Sequence, residues 1–236
     1  TPSNSSAASD VYKRQILFIF TACFLFTTSC SDFLDEEHKT KYSSEYVFGT
    51  PEGLKLAVNA LYALQRYYAN DTENATIFAL ERGTDLAVTN GGTGNFYGIY
   101  DPNYLKPSAS QVGFMWRTMY QIIGKANEII AAAEDLEDTP SLRATVSEAK
   151  CFRAQSYFLL YRTFDRIWLN IQPTTAENVN DPRDFHAASE KEVFDLIYED
   201  LEYAITNLDW VSDEAGRFTQ AAARHMKAKA ALWLKV

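Results

Sequence analysis

Asn95, Phe96, Tyr97 and Tyr100 stand close together in a stretch that no helix would accommodate. The run Asn90-Gly91-Gly92-Thr93-Gly94 precedes them, and Gly98 and Pro102 break up the residues around Tyr100. Aromatic faces can stack on pyranose rings, while amides and carboxylates bond hydroxyl groups. With Asp85, Asn90 and Tyr104 nearby, the set is equipped to hold a sugar. A second reading stays open, in which the aromatics pin this loop onto its own domain. Either way, residues 81–106 form a long loop, and long loops in compact domains tend to carry function.

Cys30 is the next candidate. It follows Ile16 to Ser29, an apolar run of 14 residues with Lys13 and Arg14 in front. A membrane-spanning helix needs about 20 residues. This run has the length of a signal-peptide core instead. It ends in TTSC, which resembles a lipobox, the cleavage and lipidation site of a bacterial lipoprotein, with Thr27 where leucine is usual. An ordinary signal peptide or a buried strand is the other reading. The acids Asp32, Asp35, Glu36 and Glu37 come next, as in a solvated tether or a surface-export signal. Cys23 lies within the apolar run and Cys151 is alone in a helix, so no disulfide framework is expected.

Several chemistries are excluded or disfavoured. The net charge of −9 argues against nucleic acid as a partner. His38, His186 and His225 are too scattered for a histidine metal site, so no metal and no cofactor is expected. There is no Gly-x-Ser-x-Gly, no His-Glu-x-x-His and no P-loop. The acidic clusters Glu134-Asp135-Glu137-Asp138 and Glu199-Asp200-Glu202 read as solvated charge rather than as paired catalytic carboxylates. No enzyme is expected.

The elements that must position these residues are helices. Thr50 and Pro51 open one that runs to Ala69, with Leu54, Val58, Leu61 and Leu64 on one side. Met115, Met119, Ile122, Ala126, Ile129 and Ala133 mark a second, Phe114 to Asp135. Asn127 falls near its apolar stripe and needs a partner, with neighbouring backbone the better candidate than a ligand. Thr139 and Pro140 start a third, ending at Phe164, in which Arg153 sits among small and aromatic residues and must be paired if buried. Residues 165–188 are irregular. Ser189 and Glu192 form a capping box for a helix to Leu208, with Val193, Ile197, Leu201 and Ala204 inward. Gly216 suits a positive φ. Thr219 caps a last helix in which Ala222, Met226, Lys229 and Trp233 trace one line, with Ala223, Ala230 and Leu234 close by, reaching Val236 without a C-cap. The fold class is all-α: two αα-hairpins of tetratricopeptide type, on a chain that reads as truncated at the C-terminus. Residues 1–29 read as a non-native start plus a lipoprotein signal peptide, 30–45 as a flexible acidic tether, and 46–236 as the helical domain.

The order of these features resembles the N-terminal half of a SusD-like (RagB/SusD) nutrient-binding lipoprotein. The resemblance is carried by TTSC with CSDFLDEE, by EYVFGTPEGLKLAVNALY, and by Trp116, Tyr120 and Asn127 in WRTMYQIIGKANEII. Glu148, Arg153 and Tyr157 in EAKCFRAQSYF, then VFDLIYEDLEYAITNL and GRFTQAAARHMKAKAAL, complete it. One departure is Phe164-Asp165-Arg166-Ile167-Trp168-Leu169, where the family has a Phe-Gly-Asp-Val-Pro-like turn. The resemblance implies a lipoprotein on the outer-membrane surface, lidding a SusC-like TonB-dependent transporter and capturing oligosaccharide or starch-like polysaccharide. A peptide or other nutrient as cargo is the alternative. It implies ligand contacts at Asn95, Phe96, Tyr97 and Tyr100 by position and composition, and lipidation at Cys30. Arg153 and Glu148 become structural residues that bond to adjacent helices or loops.

Overall fold

The computed structural model describes residues 12–15, 43–70, 110–175, 177–182 and 185–235. The chain divides into two units, Thr1–Tyr42 and Ser43–Val236. In the first, only residues 12–15 are described, as a single helical turn. The second is all-α in its described residues: α1 Ser44–Gly49, α2 Pro51–Asn70, α3 Ser110–Ala133, α4 Pro140–Phe164, α5 Glu190–Asn207 and α6 Gln220–Leu234.

Local chemistry sets most of these bounds. Thr50 joins α1 to α2: its hydroxyl donates to the Tyr46 carbonyl at 2.8 Å and accepts from the Gly53 amide at 3.1 Å. Gly53 has no alternative at this joint, because a Cβ there would stand 2.2 Å from the Tyr46 carbonyl oxygen. The sequence reading opened the first helix at Thr50 and Pro51, where α2 begins, and did not give α1 as a turn of its own. Thr139 caps α4 through the Leu142 amide, Ser189 and Glu192 form the expected capping box on α5, and Thr219 caps α6 through the Ala222 amide. Gly216 takes a φ of 86°. Asp165 closes α4 at a φ of 61°, a conformation glycine adopts at lower cost, and its amide bonds the Tyr161 carbonyl.

α4 is the element that the others surround. It packs against α2, α3, α5 and α6. Its buried residues fall all around the cylinder, from Leu142 and Val146 to Cys151, Phe152, Arg153, Tyr157 and Leu160. A helix buried on every side needs small residues where neighbours approach closely, and Ala149, Ala154 and Ser156 supply them. Each large apolar side chain it buries contributes on the order of 1.5–3 kcal/mol.

α6 corrects one expectation. Its buried residues are Ala223 and Ala230, which the sequence reading set beside the line Ala222, Met226, Lys229 and Trp233. Small side chains let α6 approach α5, where Gln220 Nε2 donates to the Ile205 carbonyl at 2.6 Å. That rotation leaves Lys229 exposed and Trp233 48% exposed, with its ring edge-on to Phe158 at 6.3 Å. The helix also ends within the chain: Lys235 takes the left-handed conformation and its amide returns to the Ala231 and Leu232 carbonyls.

Candidate functional site

Asn95, Phe96, Tyr97 and Tyr100 lie outside the described residues, as does Cys30. The described residues include the frame from which residues 71–109 depart, the end of α2 and the start of α3. Tyr68 stacks on Phe114 at 6.2 Å, and Tyr67 meets the same ring edge-on at 5.7 Å. Two residues on, Trp116 meets Phe164 of α4 edge-on at 5.0 Å and Tyr120 at 4.8 Å. The C-terminal ends of α2 and α4 and the N-terminal end of α3 therefore share one end of the helical layer. Residues 71–109 and 165–188 both leave from it.

The second of these segments is held by side chains from the helices. Ile167 is buried as an apolar anchor. The Tyr120 hydroxyl accepts from the Trp168 amide at 2.9 Å and donates to the Trp168 carbonyl at 2.8 Å. The Tyr157 hydroxyl does the same for Asn170, at 2.8 Å in each direction. Asn127 Nδ2 donates to the Asn170 carbonyl at 2.8 Å, so its partner is neighbouring backbone, as the sequence reading favoured.

Behind Asn127 stands a buried ionic network. Arg153 Nη1 donates to Asn127 Oδ1 at 2.8 Å. Its Nε and Nη2 form a fork onto the two carboxylate oxygens of Asp200, each at 2.8 Å. Lys150 Nζ donates to Asp200 Oδ1 at 2.8 Å and lies 5.2 Å from the centre of the Tyr203 ring. Reading Asp200 as solvated charge was wrong: its side chain is fully buried. The signal was present in the spacing. Asp200 stands seven residues after Val193, three after Ile197 and four before Ala204, on the apolar stripe of α5. These polar groups bond one another, so the network joins α3, α4 and α5 and exposes no reactive atom. Cys151 is equally unsuited to chemistry, since burial pushes its thiol well above the ordinary range.

A second cluster ties α2 to the turn before α6. The Tyr62 hydroxyl donates to Glu148 Oε2 in a short bond, accepts from the Phe218 amide at 2.7 Å, and its ring lies 5.2 Å under the Arg217 guanidinium. Arg217 Nη1 reaches Glu148 at 3.2 Å. Burial raises the Glu148 carboxyl above its ordinary 4.5, and the Tyr62 bond and the Arg217 charge only partly offset this. A carboxyl raised in the folded state contributes stability below pH 4.5, and that contribution is lost as pH rises through the raised value. Glu148→Gln is therefore expected to flatten the decline in stability from pH 4.5 upward. Urea midpoints measured against pH check this, and parallel profiles for parent and variant would refute it.

The frame matches known proteins in sequence and in shape. A family model described as "Starch-binding associating with outer membrane" matches residues 32–232. The chain belongs to the SusD-like family. A SusD-like protein of Bacteroides ovatus is 28% identical over 230 residues, covering 92% of this chain and 39% of that protein. SusD-like protein P2 of Formosa agariphila is 29% identical, covering 94% of this chain and 42% of that protein. The chain thus spans about two-fifths of the length of these SusD-like relatives. Among solved structures, a laminarin-binding SusD-like protein aligns with a TM-score of 0.65 at 26% identity, covering 78% of this chain and 40% of that one. A protein solved with xylogluco-oligosaccharide shares the fold at a TM-score of 0.61 and 24% identity, over 76% of this chain and 34% of that one.

Proposed function

We propose that this chain is part of a cell-surface glycan-binding lipoprotein without catalytic activity. A lipid on Cys30 holds it in the outer membrane, and it captures oligosaccharide for import through a SusC-like TonB-dependent transporter. The observation that carries this reading is the SusD-like family match across residues 32–232, joined to the structural likeness to a laminarin-binding member. Asn95, Phe96, Tyr97 and Tyr100 are the proposed ligand contacts. Their support is composition, together with the aromatic frame of α2, α3 and α4 from whose end their segment departs.

The test is affinity electrophoresis of the whole protein through gels containing laminarin, xyloglucan or starch. Retardation by at least one glycan is expected. Tyr97→Ala and Tyr100→Ala should each weaken it about three- to tenfold, the loss of one aromatic stacking contact. A protein that no glycan retards, but that binds peptides, would replace the glycan reading with the peptide one. For the anchor, Cys30→Ala should abolish incorporation of labelled palmitate in cells, and unchanged labelling would remove Cys30 from that role.

A further inference from the structure

Residues 165–188 carry two aromatics that the helical core does not use. Phe185 is 71% exposed, and Trp168 beside it is half-buried, with the two rings 4.8 Å apart at 51°. Burying an aromatic ring is a large favourable term, so two adjoining rings left partly in water have apolar surface to offer a ligand. The backbone of Trp168 is fixed. The Tyr120 hydroxyl bonds both the amide and the carbonyl of Trp168, and the Tyr120 ring lies 28° from parallel to the Trp168 ring at 6.3 Å. The Ala188 amide bonds the Ile167 carbonyl at 2.9 Å, which brings the two ends of the excursion together, and the Phe185 ring meets Trp168 beside it. A continuous aromatic series therefore runs from Phe164 through Trp116, Tyr120 and Trp168 to Phe185, from the packed layer out to solvent.

We propose that Trp168 and Phe185 form a stacking surface for a neutral saccharide ring, separate from the contacts in residues 71–109. The inference rests on the glycan-binding reading above and adds a second contact region to it. Three features favour a sugar. The electron-rich ring faces attract the polarised C–H groups of a pyranose. Arg166 and Gln172, exposed on the same segment, offer donors to hydroxyl groups. The chain's net charge of −9 disfavours nucleotide bases, which also stack on aromatics but bring phosphates with them. The pair sits at the end of the helical layer where α2 and α4 end and α3 begins. A preformed surface costs little ordering entropy on binding, which suits a weak contact repeated along a polymer.

The experiment uses the whole protein and affinity gels of laminarin, xyloglucan and starch. Phe185→Ala removes an exposed ring and leaves the fold untouched. Trp168→Ala removes its partner, and Phe185→Tyr keeps an aromatic face. On whichever glycan the parent binds, Phe185→Ala and Trp168→Ala should each weaken retardation about three- to tenfold. Phe185→Tyr should bind as the parent does, and so should Trp210→Ala, which removes an exposed tryptophan elsewhere. If Trp168→Ala misfolds, Phe185→Ala alone decides. A parent that is retarded while Phe185→Ala matches it overturns the stacking surface and leaves the proposed function standing. A parent retarded by no glycan overturns both.

Discussion

Asp200→Ala is expected to lower stability by about 3–5 kcal/mol, the cost of breaking a buried ion pair by removing one partner. The carboxylate is fully buried and takes three charge-assisted hydrogen bonds, two from Arg153 and one from Lys150. Without it, two cations remain in the contact between α4 and α5, with the Asn127 amide oxygen and the Tyr203 ring as their remaining partners. Neither carries a full negative charge. Asp200→Asn should cost nearly as much, because it keeps the shape and loses the charge. Lys150→Met should behave differently. It leaves the Arg153–Asp200 fork neutral overall, so its cost should be about 1 kcal/mol, that of an ordinary net hydrogen bond. Urea unfolding of the whole protein separates these cases by their midpoints. Equal midpoints for Asp200→Ala and Lys150→Met would show that charge balance does not govern this contact.

Asp200 also shows where sequence reading stops. Arg153 and Asn127 announce a need: each is a polar side chain on an apolar surface, and each must be satisfied. Their partners come from distant residues, since Arg153 finds Asp200 on the next helix and Asn127 finds the backbone of Asn170. Nothing local encodes those pairings. Capping is the opposite case. Thr139, Ser189 with Glu192, and Thr219 satisfy amides within their own first turns, so their helix starts are legible from a few residues. The sequence reading drew the line of α6 through Met226 and Trp233 and set Ala223 and Ala230 beside it, because large side chains outweigh alanine in a hydrophobic pattern. Packing selected Ala223 and Ala230, since close approach depends on small size. The Trp168–Phe185 pair was hidden for a related reason. The two rings are separated in sequence and meet where the Ile167–Ala188 backbone bond joins the ends of the excursion. The proposed contacts at Asn95, Phe96, Tyr97 and Tyr100 rest on composition alone, because a glycine-rich stretch has no periodicity to place its side chains.

Tyr157 offers the second large effect. Tyr157→Ala is expected to cost about 3–5 kcal/mol, the range for emptying a fully buried aromatic site. That loss combines ring packing with hydrogen bonding, and Tyr157→Phe separates the two. The phenylalanine keeps the ring and deletes one hydroxyl that serves two backbone groups of Asn170. The Asn170 carbonyl retains the Asn127 amide as a donor, whereas its own N–H loses its partner. Tyr157→Phe should therefore cost about 1 kcal/mol, that of an ordinary net hydrogen bond, since the Asn170 amide is only part-buried. Amide exchange should accelerate at Asn170 and much less at Trp168, whose N–H is held independently by Tyr120. The converse variant, Tyr120→Phe, should release the Trp168 amide and spare Asn170. If each change loosens only its own residue, the excursion is held at two separate points, and only Tyr120→Phe should weaken glycan retardation through Trp168. If either change loosens both amides, residues 167–170 open as one unit, and the Trp168 ring depends on the whole buried network behind Asn127.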